Sequence, residues 1–211
     1  MSHDLLEFFA LSERLKKELR HSWLSDGRRE SVAEHTWMMS LMAITLAPQL
    51  EHPVDLGHVL KLITVHDLAE TKVGDIPVFE RSARKDVKER AEQEAMTEIG
   101  EMLPRTAGTL ISDLWNEYEA GITMEARFAR ALDHLEVQMQ HNLADLETWL
   151  PLELDLVYTK MDDRCAHDST LQAMAVALRT QAEMKLSRSG VDIGALRARH
   201  ASPPSKDEFN H

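Results

Sequence analysis

The side chains best suited to chemistry in this chain are two histidines and two aspartates on apolar helical stripes. Val59, Leu62, Ile63 and His66 recur at helical spacing, which points the His66 imidazole along a buried face, with Asp67 beside it. A carboxylate there is costly to bury unless a cation compensates it. His35 shares a stripe with Val32, Met38, Met39 and Met42, and Asp133 lies beside the stripe of a third helix. Two imidazoles and two carboxylates converging from three helices make a divalent-metal site with His35, His66, Asp67 and Asp133 as ligands. Mixed nitrogen and oxygen ligation suits Mn, Co, Fe, Ni, Zn or Mg and does not choose among them. Four protein ligands on a roughly octahedral ion leave positions for water and a substrate oxygen, a catalytic arrangement. Taken singly, each residue has a plainer reading, because a lone histidine on an apolar face is usually a hydrogen-bonded core residue.

The elements that must position these groups are helical. Apolar residues make up 43% of the 211, aromatics only 5%, and Leu, Ala and Met dominate over strand-like runs, so the expected fold is all-α. An amphipathic helix is expected from residue 5 to about 20, and Ser31-Val32-Ala33-Glu34 is a capping box opening a helix from 32 to about 47. Pro53 opens the next, from about 54 to 70, and Gly74-Asp75-Ile76-Pro77 breaks into a loop at the mouth of the site. Helices follow over 82–103, 106–119, 123–147 and 167–186. Residues 1–186 form one domain on this reading, and 187–211 a flexible tail.

A net charge of −12 excludes a general nucleic-acid binder, though not a phosphorylated small molecule. Cys165 is the only cysteine, which fits a reducing compartment. No stretch approaches the roughly 20 apolar residues of a membrane-spanning helix. A cytoplasmic chain without membrane partners is expected.

In order, Glu30-Ser31-Val32-Ala33-Glu34-His35, His66-Asp67-Leu68-Ala69-Glu70, Val73-Gly74-Asp75-Ile76, and Glu125-Ala126-Arg127-Phe128 through Leu132-Asp133 resemble the HD-domain phosphohydrolases. Within them the likeness is to the 5′-deoxynucleotidase branch, over residues 5–186. The resemblance implies an all-helical, commonly homodimeric enzyme that removes the 5′-phosphate from deoxyribonucleoside monophosphates with one divalent cation. It implies His35, His66, Asp67 and Asp133 as ligands, Arg20 as the arginine that orients phosphate, and Glu70 near the attacking water. Asp75 begins the loop, with Ile76, Pro77 and Val78, that holds the sugar and leaving-group side. His21 stands where some deoxynucleotidases carry tryptophan, so selection against the ribose 2′-OH stays open. Glu70 falls one turn after His66 and is also readable as a surface pair. Arg20 is also readable as a helix-terminal cation, and Asp75 as a turn residue. Two rivals remain: an HD enzyme acting on triphosphates or pyrophosphates, which needs more cations around the phosphate tail, and a non-catalytic helical module stapled by its metal.

Overall fold

The computed structural model describes residues 2–75 and 88–201. The chain is helical, with one two-stranded hairpin among the described residues. Helix α1 (Ser2–Ser12) runs into a 3₁₀ turn, Glu13–Lys16. Strands β1 (Leu19–Trp23) and β2 (Arg29–Ser31) then pair antiparallel, with Leu19 opposite Ser31 and Trp23 opposite Arg29. The sequence pattern carries the first helix through Arg20. The hairpin overrides it, because 19–23 find main-chain partners in 29–31 and the tight turn closes through Gly27, whose φ of 83° suits glycine.

Helix α2 (Val32–Leu46) starts at the expected capping box: Ser31 Oγ accepts from the Glu34 amide at 3.3 Å, and Glu34 Oε2 from the Ser31 amide at 2.9 Å. Helix α3 (Leu56–Val65) is capped by Asp55, whose Oδ1 accepts from His58 N at 3.1 Å. It does not run to Glu70 as its apolar spacing predicts. His66 is its C-cap, 66–69 form a turn in which the amides of Leu68 and Glu70 bond three residues back, and a single turn, α4 (Glu70–Val73), follows. This break lets His66, Asp67 and Glu70 face one place from adjacent positions that a continuous helix would splay apart.

Helices α5 (Lys88–Met102) and α6 (Arg105–Ala120) cross where Gly108 and Gly100 bring their backbones together. Gly121, left-handed at φ 60°, ends α6, and Thr123 caps α7 (Met124–Leu143). Short helices α8 (Glu153–Leu156) and α9 (Asp162–Cys165) lead to α10 (Ser169–Arg188), capped by Asp168. Helices α2, α3 and α7 pack on one another around Met39, Leu62, Ile63, Phe128, Leu132 and Leu135, all fully buried. At about 25 cal/mol per Å² of apolar surface, that contact is the main force holding the site elements in place.

The expected flexible tail is overturned over much of its length. Helix α11 (Ile193–Ala201) packs back through buried Leu196, in a second apolar cluster with Trp149, Val157, Ala182 and Leu186. Arg197 forks onto Glu183 of α10 through Nε and Nη2 at 2.7 and 2.6 Å. Residues 202–211 lie outside the described residues.

Candidate metal and phosphate site

Four elements meet at the site: α2 supplies His35, the α3–α4 break His66, Asp67 and Glu70, β1 Arg20, and α7 Asp133. One ligand atom each from His35, His66 and Asp133 lies within 4.8 Å of the other two. His35 Nε2 is 3.2 Å from Asp133 Oδ1, and both imidazole Nε2 atoms are buried without a hydrogen-bond partner among the described residues. Each ring is held by its other nitrogen. His66 Nδ1 donates to the Ile63 carbonyl at 2.7 Å, and His35 Nδ1 to Glu136 Oε2 at 2.6 Å. That leaves the two Nε2 lone pairs aimed at one point beside a carboxylate, the donor set a divalent cation takes. Asp67 approaches this set from one side, its Oδ2 3.0 Å from His66 Nε2 and 3.4 Å from an Arg20 guanidinium nitrogen.

The electrostatics call for positive charge. Burial, then the charges of Asp67 and Asp75, push the Glu70 carboxyl up to about 10, and burial raises Asp75 as well. Burial opposes ionisation of Asp133, but His35, His134 and His66 hold it well below the usual carboxylate range. Asp67 is likewise lowered to about 2, against burial, chiefly by His66. Burial also works against the Arg20 charge, and Asp67, Asp75, Asp133 and Glu136 more than offset it. Tyr118 closes the site from α6, donating its hydroxyl to Asp133 Oδ2 at 3.1 Å.

A cavity of about 400 Å³ opens from this cluster. Its lining includes Glu70, His66, Asp67 and Asp133 of the cluster, the side chains of Trp115, Tyr118, Val137, Leu156 and Met161, and a group of Arg130, His134, Lys160 and the solvent-exposed Arg164, which we call its outer end. Glu70 Oε2 is buried without a hydrogen-bond partner among the described residues, free to meet a ligand or water.

The expected residues are thus largely brought together, with two exceptions. His21 alternates away from Arg20 along β1 and lies 3.1 Å from Glu153 Oε1, so it does not line the cavity. Trp23, the tryptophan that follows His21 on the same strand and a candidate for base stacking, lies under the Arg29 guanidinium, 5.6 Å from it, and does not line the cavity either. Asp75 is tied at its amide to Glu18 Oε1 at 3.0 Å and couples electrostatically to Arg20 and Asp67. The expected sugar-side residues Ile76, Pro77 and Val78 lie outside the described residues. Sequence reasoning missed Glu136, Glu30, Tyr118 and the cations of the outer end. Glu136 had a usable signal, since it follows Asp133 by three positions on one helical face. Glu30 packs beside it, raised to about 7 by burial and by the Glu136 charge, with Arg20 Nε 3.7 Å away.

The HD domain family profile matches residues 12–173. The 5′-deoxynucleotidase HDDC2 of Bos taurus is 32% identical over 177 residues, covering 82% of this chain and 84% of that one. The Mus musculus protein of the same name is 30% identical, covering 90% and 94%. Among solved structures, a predicted metal-dependent phosphohydrolase from Magnetospirillum magnetotacticum superposes with a TM-score of 0.71 at 26% identity, covering 89% of this chain and 93% of that one.

Proposed function

From its membership of the HD domain family, which the chain shares with the deoxynucleotidases it matches, we propose that this protein is a divalent-metal-dependent hydrolase releasing the 5′-phosphate of deoxyribonucleoside monophosphates. The observation that carries this reading is the convergence of the buried Nε2 atoms of His35 and His66, each facing a carboxylate and without a directed hydrogen bond among the described residues, on Asp133 and Asp67. With Asp67 as fourth ligand they would hold one cation, of the Mn, Co, Fe, Ni, Zn or Mg group. When bound, it supplies charge neutralisation at the phosphoryl oxygens and a more acidic water.

The chain's own groups do the rest. Arg20 presents a planar fork beside Asp67, geometry that suits two phosphate oxygens. Glu70 reaches the cavity with an oxygen that has no hydrogen-bond partner among the described residues. Burial and the Asp67 and Asp75 charges keep it protonated; with a bound cation to offset those charges, it is a carboxylate suited to take the proton of the attacking water. Asp75, raised above an ordinary aspartate by burial, would give a proton to the leaving 5′ oxygen on this reading. Trp115 and Tyr118 offer aromatic faces to a nucleobase. The segment 75–78 would hold the sugar, and His21 is paired to Glu153.

The substrate is a small nucleotide rather than a nucleic acid, in keeping with a net charge of −12. No helix among the described residues is long and apolar enough to cross a membrane, and the single cysteine fits the cytoplasm. A homodimer agrees with the stripe on α2 where Trp37, Leu41 and Ile44 stand 62, 42 and 49% exposed at helical spacing. Trp37→Glu should then yield monomers in light scattering.

The deciding experiment screens metal-reconstituted protein for phosphate release from dAMP, dGMP, dCMP, TMP and their ribo counterparts. Asp67→Ala should abolish metal retention and turnover together. Glu70→Gln should keep the metal and lose turnover; full activity in that variant would leave only a metal-stapled binding module.

A further inference from the structure

On a chain with twelve surplus negative charges, Arg130, Lys160 and Arg164 all line this cavity close to His134. Arg130 and His134 stand one turn apart on α7, facing the segment that carries Lys160 and Arg164 around α9. Arg130 is held by the carbonyls of Tyr118 and Glu119 and lies over the Tyr118 ring at 5.7 Å. The side chains of Lys160 and Arg164 make no hydrogen bond or ion pair among the described residues. Acidic groups are close as well: Asp163 lines the adjoining groove, and Glu92, Glu119 and Asp133 line the cavity with Asp67 and Glu70. None of them pairs with Lys160 or Arg164.

The first phosphate has its partners, as argued above, in the ligand set and in Arg20 beside Asp67, and Asp133 of that set stands one helical turn from Arg130. Lys160 and Arg164, without an ion pair among the described residues, line the same cavity as Arg130 and suit a second negative group. We propose that Arg130, Lys160 and Arg164, with His134, form a second phosphate-binding subsite, so that the cavity holds a nucleotide carrying two phosphate groups more tightly than one carrying a single phosphate. This rests on the ligand cluster being a phosphate-ester site, as argued above. Arg130 is held in place by two carbonyls, whereas Lys160 offers the anion a point charge and Arg164 a planar fork.

Inorganic phosphate tests the subsite without turnover, so a chain that hydrolyses nothing still decides it. Equilibrium binding to the metal-loaded protein should read two phosphates per chain. Lys160→Met with Arg164→Met should read one, and Arg20→Ala should remove the other. Matching melting temperatures and bound metal establish that the variants are folded; either single variant, weakening the outer phosphate at least fivefold, replaces a double variant that does not fold. A single phosphate on the parent protein, or two undiminished on the variants, overturns the proposal. Methylenediphosphonate identifies the source of the second group, and either result upholds the subsite. Displacement of both phosphates assigns it to a phosphoanhydride chain, displacement of one to a phosphate elsewhere on the sugar.

Discussion

Replacing Glu136 should weaken metal binding although this residue is no ligand. Its Oε2 accepts from His35 Nδ1 at 2.6 Å, and both side chains are 0% exposed. The bond fixes the proton on Nδ1 and leaves the Nε2 lone pair toward Asp133 and His66. Its negative charge also makes the imidazole a better donor. Glu136→Gln keeps the volume and an accepting oxygen but removes the charge, so metal affinity should fall about tenfold, the lower end for lost outer partners of metal-bound histidine. Glu136→Ala also removes the acceptor and frees the ring to turn; about a hundredfold is expected. In linkage terms these losses reduce the stabilisation given by saturating metal by about 1.4 and 2.7 kcal/mol. Competition with a chromogenic chelator reads the affinity. Melting with and without metal separates the effect at the site from a general loss of packing. If Glu136→Ala binds metal like the parent, or loses stability equally in both states, the argument that Glu136 orients His35 is wrong.

Arg20→Ala should retain its metal and lose about two to three orders of magnitude in kcat, as removal of a preorganised charge partner does; a kinetically silent variant would remove Arg20 from the phosphate. Gly108→Ala places a methyl 2.3 Å from the Gly100 carbonyl oxygen and must spread α5 from α6, costing about 2–4 kcal/mol in urea unfolding. Gly100→Ala meets only the movable Ser112 hydroxyl at 3.0 Å and should be near neutral, because helix propensity gains about 0.5–1 kcal/mol. Tyr118→Phe loses the 3.1 Å bond to Asp133, about 1 kcal/mol, and should slow turnover less than tenfold. Arg197 and Tyr158 hold the Glu183 carboxyl below its ordinary value, so this contact stabilises above the unfolded pKa and is lost as pH falls through the lower folded one. Hydrogen exchange on α11 should rise over that acid range in the parent, and already at neutral pH in Glu183→Gln.

His35 and Asp133 were readable as candidate ligands because they sit on long, periodic helices. His35 and Asp133 follow from apolar spacing, and the capping box fixed where α2 begins. Arg20 was read as a helix terminus because strand pairing between 19–23 and 29–31 is non-local and local propensity does not register it. The break at His66 was hidden for a similar reason: the apolar pattern continues through Leu68 and Ala69, which are buried in the turn as they would be in a helix. Lys160 and Arg164 lie in a stretch of single-turn helices with no period to read, and their address in the cavity comes only from packing of α9 against α7 and α10. Helix α11 went unseen because one residue, Leu196, carries most of its anchoring.

The lone thiol of Cys165 has a practical consequence. It is fully buried in α9, and burial pushes it up to about 12, so it stays inert toward maleimides at neutral pH. The native chain is therefore already a blank background for site-directed labelling. Cysteines introduced at exposed Gln93 on α5 and Val176 on α10 would accept a fluorescent pair without first mutating the natural one. Such a pair would turn any movement of α5 on ligand entry into an optical signal.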